Sequence, residues 1–277
     1  MRLHFKKMNG LGNDFIMIDN LEGKLELPSD LIQHLCDRRK GIGADGLITI
    51  DPSKSSDFVM RYYNSDGGEA EMCGNGGRCA AHFAASLGLG ERMGERISVR
   101  FDTLAGSLEA WIGGYTVALS MMDTKEMRLN IPLQVAQVEK IVHFIIAATR
   151  HVVAPVEDAF ALTDEQVDAW GREIRHKSEF GPIGANVNFA SVNPDGSLAI
   201  RTYEKGVEAE TYGCGTGSIS SAVVLGHLGR CQSPVEVMQR GGDLLKITFD
   251  KQPFGASGVI LEGPVADNFD GSVEIEV

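Results

Sequence analysis

The chain has 277 residues, and 43% hydrophobic with 23% charged residues is the composition of a globular protein able to bury a full core. A formal net charge of −12 argues against nucleic acid and anionic membranes as partners, although a small anionic substrate needs only a locally positive site. No apolar run approaches the ~20 residues that span a bilayer, and Met1-Arg2-Leu3-His4-Phe5 opens neither a signal nor a transit segment, so a cytoplasmic protein with its five cysteines as thiols is expected.

From the N-terminus, Leu3 to Ile18 reads as a strand interrupted by Gly10-Leu11-Gly12-Asn13-Asp14 and resumed as Phe15-Ile16-Met17-Ile18. Asp30 to Arg39 is helical in pattern, with Ser29 or Asp30 as its cap. Leu47 to Ile50 and Phe58 to Tyr63 are strand-like, and the loop Asn64 to Met72 leads to Cys73. A helix then follows, with Ala80, Phe83, Ala84 and Leu87 at i, i+3, i+4 and i+7 and Gly88 as its stop. Ile97 to Phe101 and Leu108 to Ile112 are strands. Further on, Phe189 to Val192 and Leu198 to Tyr203 flank the turn Asn193-Pro194-Asp195-Gly196. Glu204 to Gly213 leads to a second helix beginning at Cys214, with strands at Val235 to Met238 and Leu244 to Phe249.

The order of the second half repeats that of the first. Cys214-Gly215-Thr216-Gly217 returns Cys73-Gly74-Asn75-Gly76 after 141 residues, and at that offset Tyr203 matches Tyr62, Glu210 matches Glu69, and Leu228-Gly229 matches Leu87-Gly88. Such self-similarity predicts two related halves. The expected fold is α+β, each half a mostly antiparallel sheet around one central helix that starts at a cysteine. The halves are expected at 1–120, with 265–277 returning to it through a closing strand at Ser272 to Val277, and at 121–264.

A helix start presents unpaired N–H groups and the positive end of the dipole. Gly74, Gly76, Gly215 and Gly217 remove side chains there, so a carboxylate could approach the backbone, and the same field favours thiolate over thiol. Two such helices facing each other would cradle one carboxylate between two sulfurs, the geometry for taking a proton from one face of a carbon and returning one to the other. Cys36, Cys79 and Cys231 read instead as small buried hydrophobes. No metal is expected, since there is no Cys-x-x-Cys or His-Glu-x-x-His. Gly41-Ile42-Gly43-Ala44-Asp45-Gly46 spells G-x-G-x-x-G, but it follows a charged run and precedes a strand, so it reads as a turn rather than a dinucleotide loop. No stretch argues for pyridoxal phosphate, and no cofactor is expected.

Lys7-Met8-Asn9-Gly10-Leu11-Gly12-Asn13-Asp14-Phe15, Asn64-Ser65-Asp66-Gly67, Met72 to Cys79 and Cys214 to Gly217, in that order, resemble the diaminopimelate epimerase family. The resemblance implies a duplicated two-domain fold and cofactor-free interconversion of LL- and meso-diaminopimelate, on the route to lysine and peptidoglycan. It implies Cys73 and Cys214 as the catalytic acid and base. Gly74, Asn75, Gly215 and Thr216 would hold the reacting carboxylate, and Asn13, Asn64 and Asn186 would bind substrate through their amides. Glu204 would meet a substrate ammonium, Lys205 the distal carboxylate, and His151 would stand behind the thiols. The chain departs from the family pattern at Lys205, usually arginine, at Arg150, usually proline, and in a slightly longer stretch from Glu204 to Cys214. Those departures leave open a racemase of another amino acid on the same fold, and a redox-sensing carboxylate-binding protein without catalysis. The expected partner is a small amino-acid substrate, with a homodimer left open.

Overall fold

The computed structural model describes residues 1–275, in a mixed α+β fold. β1 (Arg2–Gly10) and β2 (Asn13–Asp19) pair antiparallel across a turn in which Leu11 and Gly12 both take positive φ, 59° and 78°. α1 (Ser29–Cys36) is shorter than its pattern suggested. Pro28 holds the N-cap position, so neither Ser29 nor Asp30 caps it. At the far end the Asp37 carboxylate accepts the N–H groups of Arg39 and Lys40 at 2.7 and 2.8 Å, turning the charged run away from the helix. The glycine-rich segment that follows is a loop: Ile42 and Gly43 donate to the Leu35 carbonyl, closing the C-terminus of α1.

β3 (Gly46–Asp51) runs parallel to β2, and β4 (Phe58–Asn64) and the short β5 (Glu69–Ala70) add antiparallel strands. α2 (Gly74–Ser86) then passes through the middle of this unit. β6 (Glu91–Met93), β7 (Arg96–Thr103), β8 (Gly106–Gly113) and β9 (Thr116–Ser120) form an antiparallel meander, with β7 also parallel to β4. α2 packs against β1, β2, β3, β4, β7 and β8, so every residue from Gly74 to Ala81 is buried. A helix enclosed on all sides cannot keep a polar stripe, which explains its run of glycines and alanines.

β10 (Lys125–Val135), β11 (Val138–Ala147), β12 (Thr149–Pro155) and α3 (Asp164–Arg175) come next. β13 (Asn186–Val192), β14 (Leu198–Glu204) and β15 (Ala209–Thr211) lead to α4 (Gly215–His227). β16 (Val235–Met238), β17 (Leu244–Gln252), β18 (Gly255–Pro264) and β19 (Ala266–Glu274) complete the chain order. β12 to β17 repeat the pairing of β2 to β8. β13 lies parallel to β12 and antiparallel to β14, and β14 pairs antiparallel with β15 and parallel with β16. α4 sits among β11, β12, β13, β14, β16 and β17 as α2 does in the first unit. Both helices have 13 residues, and both start one position after a cysteine.

By its contacts the chain divides into Met1–Leu119 with the segment from Gly263 onward, and Ser120–Glu262. β19 begins at Ala266, earlier than the expected Ser272, and pairs antiparallel with β1; Glu276 and Val277 lie outside the described residues. The second unit obtains its corresponding outer strand from β10, next to β11. Its core centres on Phe144, Val152, Val187, Phe189 and Tyr203, each removing its apolar surface from water for roughly 1.5–3 kcal/mol.

Candidate active site: two cysteine-capped helices

Each cysteine occupies the N-cap of its helix in extended conformation, Cys73 at φ −134° and Cys214 at φ −130°. Each sulfur accepts a hydrogen bond from the amide three residues on: Gly76 N–H to Cys73 Sγ at 3.5 Å and Gly217 N–H to Cys214 Sγ at 3.4 Å. The sulfur thus takes the place that a serine or aspartate oxygen usually fills, and the helix dipole favours negative charge there. The strand arms before both helices are braced alike. Arg61 holds Glu69 at 2.8 Å, and the buried Arg201 holds Glu210 at 2.6 and 2.5 Å.

In the first unit the structure brings together Asn13, Cys73 and Asn75. Cys73 Sγ donates to Asn13 Oδ1 at 3.5 Å, and Asn75 Nδ2 reaches the same oxygen at 3.4 Å. Gly74 and Asn75 are buried in the first turn of α2. Asn64 closes β4 at an exposed position, its side-chain oxygen accepting from the Tyr62 hydroxyl at 2.8 Å.

In the second unit Cys214 Sγ lies 3.5 Å from Thr216 Oγ1, which lies 3.0 Å from Nε2 of the fully buried His151. Asn188 Nδ2 meets both the Val152 carbonyl at 3.0 Å and His151 Nδ1 at 3.1 Å. Because the carbonyl accepts only, that nitrogen is a donor, His151 Nδ1 is the acceptor, and the imidazole proton sits on Nε2, directed at Thr216. Asn186 Oδ1 accepts the Lys205 backbone N–H at 2.7 Å, and Glu204 accepts from the Thr211 hydroxyl at 2.9 Å. Gly215 is buried at the start of α4.

Asn188 and Gln239 carried no sequence signal as isolated residues. Asn188 was detectable only through its i, i+2 relation to Asn186, which places both side chains on one face of β13. Gln239 follows β16 and accepts the Cys214 N–H at 3.1 Å while donating to Ser218 Oγ at 2.7 Å. Burial pushes the thiols of Cys36 and Cys231 up to about 11 and that of Cys79 to about 12, so these three stay protonated at neutral pH.

Burial also pushes His151 down to about 3 and His143 down to about 4, from 6.5. The unfolded chain therefore binds protons first on acidification. The contribution of these neutral imidazoles is complete above 6.5 and is lost as pH falls toward 4. The urea midpoint should fall between about pH 7 and about pH 5. His143→Gln should flatten that slope, and an unchanged slope would count against His143 as a source.

The sequence profile of the diaminopimelate epimerase family matches residues 5–127 and 144–263. A Chlorobaculum tepidum protein named diaminopimelate epimerase is 37% identical over 270 residues, covering 97% of this chain and 100% of the relative. An Aquifex aeolicus protein of the same name is 38% identical over 288 residues, covering 99% of each. Among solved structures, a hydroxyproline epimerase from Agrobacterium vitis superposes with a TM-score of 0.74 at 15% identity, over 98% of this chain and 91% of that one. At that identity the likeness establishes the fold alone. No helix among the described residues is long and apolar enough to cross a membrane. With the family profile matched in both halves and relatives above 30% identity along nearly the whole chain, this protein belongs to the diaminopimelate epimerase family.

Proposed function

We propose that this protein interconverts LL- and meso-diaminopimelate, with Cys73 and Cys214 exchanging the roles of base and acid. The observation that carries this reading is the duplicated helix start, in which each sulfur is the N-cap of a buried 13-residue helix and takes an amide of its first turn. Epimerisation requires a proton taken from one face of the α-carbon and one delivered to the other, and two equivalent thiols supply both. Negative charge that develops as the proton leaves spreads into the adjacent carboxylate. The N–H groups of Gly74, Asn75, Gly215 and Thr216 are the donors proposed to hold it. Asn13, Asn64 and Asn186 would bind the rest of the amino acid through their amides, and Glu204 would meet an ammonium. His151 would act through Thr216. The reduced thiols that this mechanism needs fit a cytoplasmic enzyme. A homodimer is compatible with it.

Incubation with diaminopimelate in deuterated water should wash deuterium into the α-position with inversion. Exchange on another amino acid alone would favour a different racemase of this fold, and absence of exchange on any would favour a binding protein.

Lys205 bears on the substrate. Its backbone N–H is held by Asn186 Oδ1 at 2.7 Å, at the end of β14 beside Glu204. Paired with a distal carboxylate, it would contribute roughly 1.5–3 kcal/mol. Lys205→Ala should therefore lower kcat/KM on diaminopimelate by about tenfold to a hundredfold. Unchanged kinetics would assign Lys205 to solvent.

A further inference from the structure

We infer that Asp45 is a positioning residue for Cys73: it turns the Asn13 side-chain oxygen toward the sulfur, so that Cys73 rests as the protonated member of the pair. This deepens the two-thiol reading above and rests on it for its catalytic meaning. Asp45 lies in the Gly41–Gly46 segment, which resembled a dinucleotide loop and which the function had otherwise left unused.

The two ends of an amide are told apart by their partners. Asp45 Oδ2 lies 2.7 Å from one end of the Asn13 amide, and a carboxylate can only accept, so that end is Nδ2. The other end, Oδ1, then faces Cys73 Sγ at 3.5 Å and Asn75 Nδ2 at 3.4 Å. Asn75 is oriented independently. Its Oδ1 is 3.0 Å from Arg78 Nη2, and a guanidinium can only donate. Donation therefore runs from Arg78 to Asn75, to Asn13, to Asp45. The Asn13 oxygen that this chain turns toward the sulfur accepts a thiol proton and opposes a thiolate.

Asp45 is itself held in place. Arg38 Nη2 donates to its Oδ1 at 2.7 Å, and its backbone N–H binds Asp14 Oδ1 at 3.0 Å. Asp14 also takes Arg38 at 2.7 and 3.0 Å and the buried Lys7 at 2.6 Å. Burial raises the Asp14 pKa, but the bonds from Arg38 and Lys7 outweigh it and bring it down to about 2, so the cluster stays charged. The elements around the start of α2 thus contribute Lys7 from β1, Asp14 from β2, Asp45 before β3 and Tyr62 from β4. Arg38 pairs with them, and Arg78 and Cys79 lie on α2 itself. Asp267 of β19 also faces this helix, its carboxylate 3.7 Å from His82. In the second unit the side chain beside the sulfur is the Thr216 hydroxyl at 3.5 Å, which can donate to a thiolate. The two sulfurs are thereby biased in opposite senses.

The test is alkylation of the substrate-free protein by iodoacetamide across a pH series, read by peptide mapping. In the parent protein Cys214 should react at lower pH than Cys73. Asp45→Asn removes the short charged hold on the Asn13 amide and leaves the longer 3.4 Å bond from Asn75, so the amide can turn over. Cys73 should then react about tenfold faster below its original midpoint while Cys214 keeps its profile. Asn13→Ala, which leaves the Asp14–Arg38–Asp45 cluster in place, should move Cys73 the same way and decides the matter alone if Asp45→Asn does not fold. An unchanged Cys73 midpoint, or equal acceleration of both cysteines, would overturn the inference. Because no substrate is present, this outcome is independent of proton exchange on diaminopimelate, which tests the reaction itself.

Discussion

Cys73→Ala and Cys214→Ala should each reduce epimerisation of diaminopimelate by about a thousandfold or more, because either change leaves one face of the α-carbon without a proton carrier. The loss should fall on inversion rather than on folding. Removing the N-cap acceptor of one helix costs only about 0.5–2 kcal/mol, and both helices are enclosed by the strands of their own units. The remaining thiol should still exchange an α-proton slowly with solvent while retaining configuration. Measuring deuterium incorporation beside optical inversion separates the two processes. Near-normal inversion by either variant would remove the two-thiol mechanism.

Gly217→Ala should be far more damaging than Gly76→Ala, although the two glycines are repeat equivalents. A Cβ at Gly217 would come within 2.3 Å of Asn188 Oδ1 and 3.2 Å of Thr202 Oγ1. Asn188 is fully buried and holds His151, the Val152 carbonyl and the Thr202 hydroxyl at once, so it has no solvent into which to retreat. Displacing it leaves buried polar groups unpaired at roughly 1–3 kcal/mol each. It also disturbs the path from His151 through Thr216 to Cys214. A Cβ at Gly76 would meet Ile48 Cδ1 at 2.9 Å and Met60 Cε at 3.4 Å, the ends of side chains that can rotate aside. Gly217→Ala should lose roughly 5–10 °C in Tm and about a hundredfold in kcat/KM, with Gly76→Ala well inside both. Calorimetry and kinetics on the two variants check this, and equal effects would contradict the assigned role of Asn188.

The parts of the fold legible in the sequence were those tied to the repeat. The Cys73 and Cys214 helices, Phe58 to Tyr63 with Leu198 to Tyr203, and the Asn193-Pro194-Asp195-Gly196 turn all carry either a duplicated residue or an ordinary turn signal. β10, β11 and β12 carry neither. β10 and β11 are joined by Ala136 and Gln137 at φ 49° and 64°, where the common hairpin signal would be Asn-Gly. Ala148 at φ 58° makes the next corner, again without glycine. β10 is further obscured by two irregularities in its register, beside the positive-φ residues Glu126 and Asn130. α3 did have a readable start in Thr163-Asp164-Glu165-Gln166, which forms a full capping box. At the site, the cysteines and their glycines stand out because chemistry and repetition coincide there. Asp45, Asn188 and Gln239 do not, because a single polar residue gains its meaning only from the side chain it meets across the fold.

The pairing of β1 with β19 has a consequence for synthesis. β1 leaves the ribosome ahead of the second unit, yet its outer neighbour is encoded after the whole of that unit. Chains emerge at about 5–20 residues per second, so β1 waits through the translation of β10 to β18 with one edge uncovered. The second unit draws its equivalent strand β10 from the residues just before β11, so its outer strand needs no such wait. During that interval the exposed backbone of β1 is open to pairing with another nascent chain, the usual hazard of an unprotected edge. Lys6 and Lys7 on β1 put charge on that strand, and in the finished protein Lys6 meets Asp267 and Asp270 of β19 at 3.4 and 2.9 Å. The Lys6 charge that meets the last strand in the finished protein discourages the wrong one beforehand.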